Sequence, residues 1–98
     1  MLTLPIKKKW FDMIKSGEKK EEYREIKPYY DSRLLGYYRS YMETEAIFRN
    51  GYSSKSPMIK CKIKVDVGQG KPEWGAEPNK EYYVLQILSV EELWIKKN

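Results

Sequence analysis

Residues 17–30 read G-E-K-K-E-E-Y-R-E-I-K-P-Y-Y and hold four basic residues, four glutamates and three tyrosines. Apolar residues before this stretch recur at helical spacing, and Gly17 stands where a helix would end. After the glycine the pattern is that of a strand, whose alternate side chains lie on opposite faces. Glu22 and Arg24 therefore share one face, with Lys19 at the turn that enters the strand. This arrangement predicts a small polar site, although an edge strand with solvated charges fits the spacing equally well.

The length of 98 residues predicts one domain that covers the whole chain, residues 1–98, around a small core. Nine tyrosines, three tryptophans and two phenylalanines supply large side chains for that core and for stacking on bases at the surface. The formal net charge of +5 is compatible with RNA or another polyanion as a partner.

The inventory of side chains excludes several classes of site. The chain has no histidine, so it lacks the commonest metal ligand and the usual base at neutral pH, and we expect neither a metal nor a cofactor. The single cysteine, Cys61, cannot form an internal disulfide and is predicted to be a buried, unreactive thiol. No stretch has the roughly 20 apolar residues of a membrane helix. The first residues are also too briefly apolar for a signal peptide. We expect a cytoplasmic location, no membrane contact and a monomer.

Periodicity and turn signals predict the other elements. We expect a helix at residues 7–16, with Trp10 and Phe11 as core anchors, and strands near residues 2–5, 20–26, 45–49, 58–67 and 82–90. Residues 29–42 fit either a tyrosine-rich loop or a helix that begins at Asp31 or Ser32 and breaks near Gly36.

The C-terminal third contains the clearest strand and the longest loop. Alternating lysines and apolar residues at 58–67 are typical of a half-buried antiparallel strand. In the loop at residues 68–80, Trp74 either closes the end of the core or stacks on a ligand. We expect residues 91–95 to form either a turn of helix or a last strand, with the side chains of Leu93 and Trp94 docking this segment onto the domain. The order of elements favours a small mixed sheet. Closure of this sheet into a barrel would leave no exposed edge strands.

A family resemblance rests on four residues: Gly17, Lys19, Glu22 and Arg24 match G-x-K-x-x-E-x-R, the signature of ASCH domains in the PUA-like superfamily. The order of elements over nearly the whole chain, and the loop G-K-P-E-W-G-A followed by Y-Y-V-L, also resemble small stand-alone ASCH proteins of bacteria and phages. The resemblance implies an α+β fold, a small PUA-like mixed or antiparallel β-barrel with one or two short helices. It also implies a polar cleft, lined by the motif residues, that binds RNA or recognises a base or modified nucleoside.

Two alternatives stay open. One ASCH branch hydrolyses the amide of N4-acetylcytidine, which implies a small amidohydrolase with Lys19 and Glu22 as its catalytic residues. That branch has a threonine where this chain has Glu22, so the hydroxyl is replaced by a carboxylate. The other alternative is a phage accessory protein whose exposed tyrosines bind a protein partner.

The residue types predict how a nucleotide would be held. If the motif side chains converge, Glu22 can accept a hydrogen bond from an exocyclic amine, and Arg24 can donate to a carbonyl or phosphate. Arg24 is expected to meet Glu22 in a planar, two-point pair. Tyr23, on the opposite face of the strand, is predicted to lie in the core. The further predicted ligand contacts are Lys27, Arg33 and Arg49 for phosphate, and Tyr29, Tyr30, Tyr37 and Trp74 for stacking.

Overall fold

A computed structural model of the chain describes residues 2–92. The elements follow in the order β1 (Leu2–Pro5), α1 (Lys8–Lys15), β2 (Glu21–Glu25), α2 (Pro28–Ser40), β3 (Thr44–Arg49), β4 (Met58–Gln69) and β5 (Glu81–Glu92), with a short 3₁₀ helix at Pro72–Trp74. The predicted α+β class is confirmed, and both helices are present. The predicted docking residues Leu93 and Trp94 lie outside the described residues.

The five strands form one mixed sheet in the order β1-β3-β4-β5-β2. The pair β1 and β3 is parallel, and the other neighbouring pairs are antiparallel. Parallel neighbours need a long crossover connection, which α1, β2 and α2 provide. The sheet curls into a half-barrel, with β1 and β2 as its two edge strands.

The core lies between the sheet and the apolar faces of the helices. The alternation of β4 places Ile59, Cys61, Ile63 and Val65 inside, as the sequence predicts. Cys61 is fully buried, and this burial raises the pKa of its thiol to about 12. The thiol is therefore protonated and shielded at neutral pH.

Helix α2 differs from the prediction at both ends. It begins at Pro28, whose fixed φ suits the first turn of a helix, rather than at Asp31 or Ser32. It then continues through Gly36 to Ser40 without a break. Packing overrides the unfavourable propensity of glycine, because Leu34 is fully buried and Tyr37 packs against the core. Tyr37, which was predicted from the sequence to stack on a ligand, is partly buried and packs against the core.

Candidate functional site

Three charged side chains of the motif are buried together beside β2. Lys19 is 1% exposed, Glu22 is 7% exposed and Arg24 is 8% exposed. Strand alternation turns Glu22 and Arg24 to the same side, while Gly17, with φ of 87°, reverses the chain after α1 and brings Lys19 alongside. The predicted convergence of the three residues is confirmed.

Glu22 holds one cation on each carboxylate oxygen. Its Oε1 lies 3.2 Å from the Lys19 Nζ. Its Oε2 accepts from both Nε and Nη2 of Arg24, at 3.0 and 2.7 Å. The two-point contact with Arg24 therefore forms on a single oxygen, because Lys19 occupies the other. Two cations and three short contacts compensate for the desolvation of the carboxylate.

Arg24 reaches two further groups. Its Nη2 donates to the backbone oxygen of Pro5 at 2.8 Å, and its Nη1 donates to the Tyr30 hydroxyl at 3.2 Å. A guanidinium has five N–H groups, so with the two bonds to Glu22 only one, on Nη1, is left for a ligand. The guanidinium is thus fixed in place by the protein itself.

Lys19 occupies an enclosed position behind this pair. Its Nζ donates to the backbone oxygen of Trp74 at 2.5 Å and lies 4.9 Å from the ring centroids of both Trp10 and Tyr23. Burial lowers the pKa of Lys19 below its usual value, while the nearby Glu22 carboxylate opposes that shift. The ammonium thereby ties the loop at residues 70–80, which joins β4 to β5, to the motif.

A cleft of about 280 Å³ lies against the buried pair, close to the lower limit of small-molecule sites. The lining combines aromatic, basic and acidic side chains, contributed by Pro5, Ile6, Lys7, Trp10, Glu22, Tyr23, Arg24, Glu25, Lys27 and Tyr30. Among the predicted residues, Glu22, Arg24, Lys27 and Tyr30 therefore meet at one cleft.

Two lining residues, Trp10 and Lys7, were missed by the sequence reasoning, which assigned Trp10 to the core. Phe11 is buried, but the Trp10 ring is only partly buried, with the Lys9 ammonium 4.7 Å from its centroid. Adjacent residues on a helix point about 100° apart, so Phe11 takes the more buried position, whereas Trp10 packs only partly against the core and also lines the cleft. The position of Trp10 directly before Phe11, together with the lysines that precede it, was the sequence feature that could have placed Trp10 at the cleft.

Tyr23 also differs from its prediction as a core residue. Its ring is partly buried at the wall of the cleft, and its hydroxyl donates to Glu21 at 2.8 Å and accepts from the Lys71 backbone N–H at 2.9 Å. Burial raises the pKa of its phenol. The reason is topological: β2 is an edge strand, and a loop covers this face of it.

Besides the enclosed Lys19 and the partly buried Tyr37, four further predicted contact residues do not line the cleft. Tyr29 and Arg33 lie one turn apart on α2 and pair with each other, the guanidinium carbon 3.7 Å from the ring centroid. Arg49 is on β3, where its Nη2 contacts the sulfur of Met58 at 3.5 Å. The Trp74 ring lies 4.6 Å, measured from its centroid, from the Lys71 ammonium, and the backbone oxygen of Trp74 accepts a hydrogen bond from Lys19 of the motif.

Comparison of the chain with protein-family models, with curated proteins and with solved structures gives no match. The ASCH assignment thus remains a hypothesis based on the motif and the order of elements. Within residues 2–92, no group of three or more His, Cys, Asp or Glu side chains is placed to hold a metal ion. Over the same residues, no helix is long and apolar enough to cross a membrane.

Proposed function

We propose that this chain is an ASCH-like domain that binds RNA or a nucleotide, with one base in the cleft beside Glu22 and Arg24, and that it acts as a cytoplasmic monomer. One observation carries the proposal: a rigid, buried acid–base pair forms the wall of a cleft that also presents aromatic rings and exposed lysines. Stacking, hydrogen bonding and phosphate attraction are thus available together.

The hydrogen-bonding capacity left in the cleft suits the edge of a base. The Oε1 of Glu22 has one lone pair beyond its contact with Lys19, and Arg24 has one N–H beyond its internal bonds. The Tyr30 hydroxyl accepts from Arg24 and so keeps its own proton to donate. An acceptor beside a donor matches an exocyclic amine next to a ring nitrogen, as adenine and cytosine present them.

Aromatic and basic side chains supply the affinity. Stacking of a base on an aromatic ring contributes about 1–3 kcal/mol, and Trp10 and Tyr30 both line the cleft. Lys7 and Lys27 are exposed at its rim and can contact phosphate. Two lysines that neutralise two phosphates of a single strand predict a salt dependence of roughly −1.4 in log K against log salt.

The geometry supports binding better than amide hydrolysis. A catalytic lysine must reach the substrate carbonyl, and the Lys19 side chain is fully enclosed and held by Trp74 and Glu22. The lowered pKa of Lys19 does not by itself allow its amine to reach a substrate, because the surrounding protein encloses the side chain. Incubation with N4-acetylcytidine, followed by chromatography, measures any turnover directly.

Calorimetric titration with the four ribonucleoside monophosphates and with single-stranded hexanucleotides, at 50 and 200 mM salt, tests the proposal. We expect binding that weakens with salt, and a loss of about 5-fold or more in Trp10→Leu, which removes about 1 kcal/mol of stacking. Lys27→Ala should weaken hexanucleotide binding, whereas Lys62→Ala, an exposed lysine on β4, serves as the matched control. Absence of binding at low salt would overturn the proposal. So would affinities of the Trp10→Leu and Lys27→Ala variants that equal the affinity of the unsubstituted protein.

A further inference from the structure

A second cavity, of about 320 Å³, adjoins the junction between β1 and α1. Its lining residues are Pro5, Ile6, Lys7, Asn50, Gly51 and Tyr52. Pro5, Ile6 and Lys7 also line the cleft beside Arg24, so the two cavities share this short segment in their linings. Each cavity is close to the lower limit of small-molecule sites, and each suits a ligand unit of about the size of one nucleotide.

The lining of this second cavity includes an aromatic ring that has no packing explanation. Tyr52 is 90% exposed, in the turn between β3 and β4. The turn is held closed, because the Ser53 backbone N–H donates to the buried Ser56 hydroxyl at 3.0 Å, and any Cβ at Gly51 would lie 2.5 Å from that hydroxyl oxygen. An exposed ring on a closed turn is a stacking surface of the kind that single-strand binding proteins use.

Asn50 adds a polar side chain to the lining of this cavity. Its Nδ2 donates to the Ile6 backbone oxygen at 3.0 Å, which fixes the amide plane. Among the described residues, nothing donates to its side-chain oxygen. The amide therefore keeps an acceptor and one N–H for the edge of a base.

Lys7 places a positive charge between the two cavities. It lines both of them, is exposed, and within residues 2–92 has no carboxylate within ion-pair distance. It is also the N-cap residue of α1, a helix whose first turn has neither a side-chain cap nor an acidic residue. The partial positive charge of that helix end adds to the attraction for an anion here.

We propose that the second cavity is a subsite for the next nucleotide of the same strand, with its base on Tyr52 and the linking phosphodiester at Lys7. The inference rests on the nucleotide binding proposed above and deepens it. The ligand class becomes two successive nucleotides, because two cavities with aromatic rings flank one shared cation. The two bases contact different walls, so the affinity for a dinucleotide combines two stacking contacts.

Calorimetric titration of the full chain with AMP, with the dinucleotide ApA and with the hexamer (A)6 tests this subsite. We expect ApA to bind at least 10-fold more tightly than AMP. Tyr52→Ala should reduce the ApA affinity to that of AMP and leave AMP binding unchanged, whereas Tyr52→Phe keeps the ring and the affinity. Tyr41→Ala, at a tyrosine that is 74% exposed elsewhere on the molecule, should leave both affinities unchanged.

The outcomes separate the subsite from the cleft. Binding of AMP with no gain for ApA, or with no effect of Tyr52→Ala, overturns the subsite and leaves the proposed function standing. Failure of AMP, ApA and (A)6 to bind at all overturns both.

Discussion

The guanidinium of Arg24 joins the two edge strands of the sheet, because its Nη2 donates to the backbone oxygen of Pro5 at 2.8 Å. Arg24 belongs to β2 and Pro5 ends β1, and the other three strands separate these two along the sheet. A side chain thus spans the open side of the half-barrel, where main-chain pairing would close a complete barrel. Both residues line the cleft, so the contact that spans the gap also shapes the candidate site.

Arg24→Ala should lower the free energy of unfolding by about 3 kcal/mol or more, because it leaves the buried Glu22 with Lys19 as its only cation and frees the Pro5 oxygen. Arg24→Lys should recover little, since an ammonium cannot make the three-way contact. Urea unfolding measures both variants. Lys27→Ala, an exposed lysine of the same cleft, should stay within about 0.5 kcal/mol. A loss below 1 kcal/mol for Arg24→Ala would mean that the bridge does not stabilise the fold.

The Tyr83 hydroxyl should make the free energy of unfolding fall at alkaline pH. Its hydroxyl donates to Asp31 of α2 at 2.5 Å, and burial, followed by this contact, raises the pKa of its phenol to about 12. The unfolded chain releases this proton near pH 10, whereas the folded chain keeps it. The contribution of Tyr83 is therefore complete below pH 10 and is lost as the pH rises from 10 towards 12.

The measurement for Tyr83 is denaturant unfolding at pH 9, 10, 11 and 12, with Tyr83→Phe as the comparison. Phenylalanine has no proton to release, so the fall above pH 10 should be shallower in the variant. Tyr23 also has a raised pKa and is present in both proteins, so the difference between the two curves isolates Tyr83. Parallel curves would contradict the prediction.

Two neighbouring glycines should respond differently to the same substitution. A Cβ at Gly70 would lie 2.6 Å from two ring atoms of Tyr23 and 2.7 Å from the Cβ of Ala76, whereas a Cβ at Gly68 has nothing within 4 Å. We expect Gly70→Ala to cost about 1–3 kcal/mol through overpacking. Gly68→Ala should be close to neutral. Thermal unfolding of the two variants tests this difference in stability. Equal effects would show that the chain around Gly70 accommodates the added methyl group without strain.

Gly36→Ala should stabilise the protein by about 0.5–1 kcal/mol, because Gly36 lies inside α2, is exposed and has open space around its Cα. The melting temperature should rise by several degrees for a domain of this size. A fall in melting temperature would indicate that the helix does not continue through this position.

Strand parity was sufficient to predict that Glu22 and Arg24 share one face of β2, because alternation depends only on the local backbone, but their burial did not follow from the spacing. The prediction failed where the covering layer decides the outcome. Tyr23 faces a loop, since β2 lies at an edge, and Trp10 packs only partly against the core and also lines the cleft, since Phe11 occupies the more buried position beside it. Neither the strand order nor the fold of the loop follows from periodicity.

Helix α2 also shows the limit of predictions made from local sequence. Local propensity left open a tyrosine-rich loop or a helix that breaks near Gly36, but buried Leu34 and the tyrosines around it hold a continuous helix against the sheet. Tyr29 and Arg33 were predicted to bind a ligand separately. On a continuous helix they are four residues apart and contact each other.

The bond from Lys19 to the Trp74 carbonyl gives the loop a particular mutational tolerance. Every amino acid has a backbone oxygen, so no substitution at position 74 deletes this acceptor. The indole can be exchanged for other side chains while the path of the main chain past the lysine is kept. The outer surface beside the motif can therefore diversify in evolution, or be randomised in a library, without loss of the anchor beneath it.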